Sequence, residues 1–128
     1  MLKRFALPAA VAVLACFSNG NTALAHANLV SANIKNNQTF RYGHAPKQIV
    51  AHFAEDLAPK VSWMAVFEGV ADHGLVTEKE HSSVSFKNPK IMTLALPKPQ
   101  KDKYYLIWYT KSAVDGHIAA GILYFQVR

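Results

Sequence analysis

Apolar and polar residues alternate with a period of two in several short runs of this chain. In KQIVAHFAE one face collects Ile49, Ala51 and Phe53, and in VSWMAVFEG it collects Val61, Trp63, Ala65 and Phe67. Tyr105, Ile107 and Tyr109 share a face in YYLIWYTK, as do Leu123, Phe125 and Val127 in the closing GILYFQVR. This is the pattern of a half-buried strand, because successive side chains leave opposite faces of a sheet. NLVSANIK, SSVSFKN and KIMTLALP supply three more strand candidates. Turn-forming clusters separate the runs: NNQ at Asn36, GHAP at Gly43, APK at Pro59, ADHG at Asp72, NPK at Pro89, PKPQKDK over 97–103 and DGH at Asp115. No stretch sustains a period of 3.6, so helix content is expected to be small. Seven short strands at this spacing predict an all-β domain, an antiparallel Greek-key sandwich or barrel, with Phe53, Trp63, Ile107 and Phe125 in its core.

The first 25 residues break the pattern. Lys3 and Arg4 precede an apolar run, FALPAAVAVLACF, and polar SNGNT leads into ALA, the three parts of a secretory signal. The run contains Pro8 and is shorter than the roughly 20 residues that span a bilayer, so no membrane anchor is expected. Cleavage after Ala25 makes His26 the first residue of a domain covering 26–128 and places the protein in the periplasm. A second cut, before Cys16 of VLAC, would give a lipidated cysteine and leave His26 inside the chain; Leu14 fits that signal poorly, and ALA fits the ordinary one well.

Losing the leader removes Lys3 and Arg4 and no acid, which leaves 12 basic against 8 acidic residues, a net charge of +4. The lysines are scattered, and this charge density excludes a nucleic-acid binder. The single cysteine lies in the leader, so the domain has neither a disulfide nor a thiolate ligand and must be stabilised by its core. At 103 residues it is long enough for one core between two layers.

The candidate chemistry lies in six histidines set against only two methionines beyond the initiator, Met64 and Met92. Imidazole suits Cu(II), Zn and Ni, whereas a thioether cluster for Cu(I) is missing. In AVDGHIAAG, Asp115 and His117 stand at i and i+2 with Gly116 between them, so an extended backbone would project both to one side. That is half a metal site, and by itself it reads equally as a turn. A freed His26 offers two nitrogens, its α-amine and Nδ1, in a six-membered chelate, and an amine with an ordinary pKa of about 7.7–8.0 competes little with protons near neutrality. Those two nitrogens, one from His117 and an oxygen from Asp115 make a tetragonal set that favours Cu(II) among divalent metals. His52 falls on the outward face of its strand, and His44, His73 and His81 fall in polar stretches, where solvated roles are expected.

AHANLVSAN, PKQIVAHFAEDL, YYLIWYTKSAVDGH and GILYFQV, in this order, resemble the CopC-type periplasmic copper-binding proteins over essentially the whole domain. The resemblance implies copper ligands His26, Asp115 and His117, with Glu55 of the HF-x-E strand beside the copper, hydrogen-bonding the terminal amine or His117. It also implies a CopD-type inner-membrane copper transporter as recipient. The expected fold remains the seven-stranded sandwich, immunoglobulin-like or cupredoxin-like. The chain departs from the family pattern in having Tyr109 where a Trp is usual before DGH, with Trp108 pointing the other way, and Ile118 after His117. The methionine-rich Cu(I) motif of some members is also missing, so the resemblance does not carry Cu(I) binding here.

The function expected is a non-catalytic, monomeric Cu(II) binder that sequesters or delivers copper. One alternative is a copper-dependent oxidative enzyme, because an N-terminal histidine chelate also serves copper monooxygenases. Such an enzyme needs an open position for oxygen and a broad substrate face, whereas Asp115 can fill the fourth position and the domain is small. The other alternative is a metal-free interaction module in which DGH is only a turn.

Overall fold

Every strand foreseen from the period-two runs forms, and two shorter ones join them. The computed structural model describes residues 27–69, 75–77 and 81–128. Its strands are β1 (Leu29–Ala32), β2 (Gln38–Phe40), β3 (Gln48–Phe53), β4 (Trp63–Glu68), β5 (Leu75–Thr77), β6 (Ser82–Val84), β7 (Ile91–Ala95), β8 (Asp102–Lys111) and β9 (Ile118–Val127). Residues 1–26, the turn at Asp72 and His73 lie outside the described residues. No α-helix occurs among those described.

Two sheets face each other, one in the order β1-β3-β7-β6 and one in the order β2-β9-β8-β4-β5, so the domain is a sandwich and not a barrel. The count is nine strands where seven were expected, the two unforeseen being the three-residue β2 and β5. Pairing is antiparallel except at one edge, where β2 runs parallel to β9 with Gln38 opposite Phe125 and Phe40 opposite Val127.

Ile49, Ala51 and Phe53 of β3 and Leu123, Phe125 and Val127 of β9 are buried as expected. β4 and β8 present the other face. Met64 and Val66 are fully buried, with Tyr104, Leu106, Trp108 and Thr110 beside them, while Trp63 and Ile107 lie half-buried on the outer surface of the five-stranded sheet. The expectation that Trp63 and Ile107 belong to the core is therefore corrected. Both faces of these strands are apolar, and polar satisfaction separates them. Met64, Val66 and Leu106 carry no hydrogen-bonding side-chain group, whereas the phenols of Tyr105 and Tyr109 need a partner that water outside can supply. Tyr104 is the tyrosine that does go inside, and its hydroxyl donates to the Gln100 carbonyl at 2.7 Å. Outside, Trp63 stacks on Tyr109 and Phe67 on Tyr105, each pair directly opposite in the β4–β8 register.

Candidate metal centre

Three segments meet at one end of the sandwich: the start of the described chain, the loop after β3, and the turn joining β8 to β9. Ser112, which is buried, organises the turn. Its hydroxyl accepts the N–H groups of Val114 at 3.0 Å and Asp115 at 3.2 Å, while its own N–H donates to the His117 carbonyl at 2.9 Å. Gly116 donates to the Ser112 carbonyl at 3.0 Å and adopts φ +75°, a left-handed conformation natural to glycine. The S-x-x-D-G-H spacing is thus the sequence of a closed turn that sets Asp115 and His117 together.

Asp115 Oδ1 accepts the His117 backbone N–H at 2.9 Å, and Oδ2 stands 3.0 Å from His117 Nδ1. With His117 Nδ1 and an Asp115 carboxylate oxygen this close, one ion could take the place of the proton between them and be held by both. The His117 side chain is 62% exposed and that of Asp115 27%, so both are reachable from solvent. Hydrogen bonds from the His117 side chain and then from its backbone hold the Asp115 carboxyl down at about 2, from an ordinary 3.8. It is therefore an anion at any pH where copper is soluble and imidazole is free.

The loop after β3 is bound to both other segments. Ala54 N–H donates to the Asn28 carbonyl at 2.9 Å, Ala113 N–H donates to the Asp56 carbonyl at 2.8 Å, and Leu57 bridges Ser112. Glu55 sits between these ties, and its Oε1 is buried with no hydrogen-bond partner among the described residues. A buried carboxylate oxygen without a donor is costly, so the position fits a carboxylate awaiting a cation or an ammonium. At the chain start, Ala27 is fully buried, and its carbonyl accepts the Thr110 hydroxyl at 2.6 Å.

The structure thus brings Asp115 and His117 into contact and gathers the segments that carry Glu55 and Ala27 around them. His26 lies outside the described residues. Among the described residues no group of three or more His, Cys, Asp or Glu stands close enough to hold a metal ion. His44, His52 and His81 are exposed, in keeping with solvated roles. Sequence reasoning passed over Thr110. Its only signal was a single hydroxyl on the face of β8 that carries Leu106 and Trp108.

Comparison with known proteins agrees with this architecture. No curated protein matches the chain in sequence. Among solved structures, CopC from Methylosinus trichosporium OB3b superposes with a TM-score of 0.69 at 24% identity, covering 80% of this chain and 93% of that one. PcoC, a methionine-rich copper resistance protein from Escherichia coli, superposes with a TM-score of 0.59 at 24% identity, covering 80% and 99%. At such identity the likeness establishes the fold. The CopC domain family matches residues 29–128, from the first residue of β1 through the last strand. The chain belongs to the CopC family.

Proposed function

We propose that the protein is a periplasmic copper-binding protein that takes one Cu(II) at the β8–β9 turn and sequesters or delivers it. The observation that carries this reading is the preformed Asp115–His117 pair, set by the Ser112 turn at the same end of the sandwich where Ala27, the residue that follows His26, is buried. The α-amine and Nδ1 of His26, His117 and an oxygen of Asp115 would hold the ion. Each carboxylate oxygen of Asp115 keeps a lone pair beyond the one it shares with His117. Glu55, whose Oε1 has no partner among the described residues, would accept a hydrogen bond from the terminal amine and neutralise charge. This set supplies imidazole, amine and carboxylate but no thiolate, which suits Cu(II). The likeness of the fold to CopC and to a copper resistance protein supports copper as the cargo. Binding without catalysis, a monomeric state and hand-over to a CopD-type membrane transporter complete the reading.

The test is Cu(II) titration of the exported protein, with its N-terminus verified by intact mass. One equivalent should bind and give a tetragonal EPR spectrum with nitrogen hyperfine structure and no intense charge-transfer band. Inserting one Gly before His26 should weaken binding far more than replacing His44 or His81, because the amine leaves the chelate ring. Equal affinity with and without the inserted Gly would remove His26 from the ligand set.

A further inference from the structure

Thr110 is fully buried, yet it carries a hydroxyl where valine would fill the same space without a polar group to satisfy. The hydroxyl donates across 83 positions of sequence to the Ala27 carbonyl at 2.6 Å. The same oxygen stands 3.3 Å from the Ala119 carbonyl of β9. With one hydrogen to give, the shorter contact takes the bond. The next carbonyl along the chain, that of Asn28, accepts the Ala54 N–H at 2.9 Å. Two successive carbonyls are therefore tied to opposite sides of the sandwich, Ala27 to β8 and Asn28 to the loop that follows β3. Thr110 lies two residues before Ser112, which frames the turn, and pairs with Ala119, two residues after His117.

The geometry points to Thr110 as a positioning residue of the metal site. Its hydroxyl fastens the peptide that follows His26 to the base of the turn bearing Asp115 and His117, so that the chelate and the turn's donors form one preset group. The inference rests on His26 being a ligand. A chain end is ordinarily loose unless tied down, and ordering it at the moment of binding costs conformational entropy that a fastened end avoids.

Thr110→Val keeps volume and β-branching and removes the donor, whereas Thr110→Ser keeps the donor. With the natural N-terminus, Thr110→Val should lower Cu(II) affinity about 10–100-fold, the range for groups that orient metal ligands, and should alter the nitrogen hyperfine pattern. Thr110→Ser should stay near wild type in both readouts. In the protein with Gly inserted before His26, where the chelate is already lost, Thr110→Val should add no further loss. A threonine serving only the fold would weaken copper binding equally in both backgrounds. Wild-type affinity in Thr110→Val, or an equal loss in both backgrounds, overturns the proposal. A Gly insertion without effect overturns the ligand role of His26 instead, so the two failures are separable. Thr110→Ala carries the same comparison if the valine variant does not fold.

Discussion

Asp115 gathers most of the chemistry of the turn, and its titration reports whether the pair with His117 exists in solution. Its carboxyl is held at about 2, first by the His117 side chain and then by the His117 backbone N–H. Because the folded value lies below the ordinary 3.8, this interaction favours the folded turn above that pH and is lost as the pH falls towards 2. His117→Ala removes the side-chain partner and leaves the backbone donor, so the Asp115 midpoint should move part of the way back up. Carboxyl-detected NMR titration of both proteins measures it, and an unchanged midpoint would mean that the pair does not hold the acid down. Gly116 makes a second claim at this scale. At φ +75° an alanine is strained even though its Cβ would meet only Lys111 Cε, at 3.9 Å, so Gly116→Ala should destabilise the apo protein by about 1 kcal/mol and loosen copper as well. Asp115, Gly116 and His117 were legible as a turn-borne pair, because their spacing dictates local hydrogen bonds. Thr110 was not, because the group it serves is 83 residues away in sequence and no local period reveals it.

Among the elements, β3 was read correctly because Gln48 and His52 mark its outward face, whereas β9 exposes Ile122 and Tyr124 opposite its buried Leu123, Phe125 and Val127, so polarity alone did not mark its buried side. β4 and β8 are apolar on both faces, so period two fixed which residues group together but not which group faces in. Hydroxyl satisfaction and cross-strand stacking decided it. β2 eluded the pattern for another reason, since its three residues owe their place to parallel pairing with β9 nearly 90 positions away. The sharpest packing claim lies between β8 and β9. Trp108 is opposite Gly121, and its indole lies across the glycine so closely that an added Cβ would sit 2.4 Å from Cζ2 and 2.6 Å from Cε2. On its other side the indole meets Phe53 of the facing sheet edge-on at 5.7 Å. It therefore has no room to retreat, and Gly121→Ala should cost about 1–3 kcal/mol by overpacking. Denaturant unfolding followed by circular dichroism measures the loss, and wild-type stability would mean that the indole has space the packing does not show.

At the scale of the molecule, charge is distributed unevenly between the two ends. Arg41, Lys47, Lys98, Lys101, Lys103 and Arg128 are exposed at the end away from the turn, and none is paired with a carboxylate among the described residues. Lys98 and Lys101 instead share the ring of Tyr42, at 4.5 and 5.8 Å from its centroid. Asp102 and Glu68 lie nearby and raise the Tyr104 hydroxyl, after burial, above its ordinary pKa, but they leave the cations in excess. The turn end sets Glu55, Asp56 and Asp115 against Lys60, Lys87, Lys90 and Lys111 and is close to balanced. A divalent cation approaching the turn therefore meets little of the positive field that the +4 carried by residues 26–128 would impose if it were spread evenly. The same concentration of cations repels itself in the folded state, and that repulsion is open to screening because every group is in water. Raising sodium chloride from about 20 to about 200 mM shortens the Debye length from roughly 20 Å to under 10 Å and should raise the apo melting temperature. Lys98→Gln with Lys101→Gln should flatten this salt response while leaving Cu(II) affinity in place, because neither lysine lies near the turn. A melting temperature that falls with salt would show that attraction, not repulsion, dominates the surface. A loss of copper affinity in the double variant would show that the two ends are not independent.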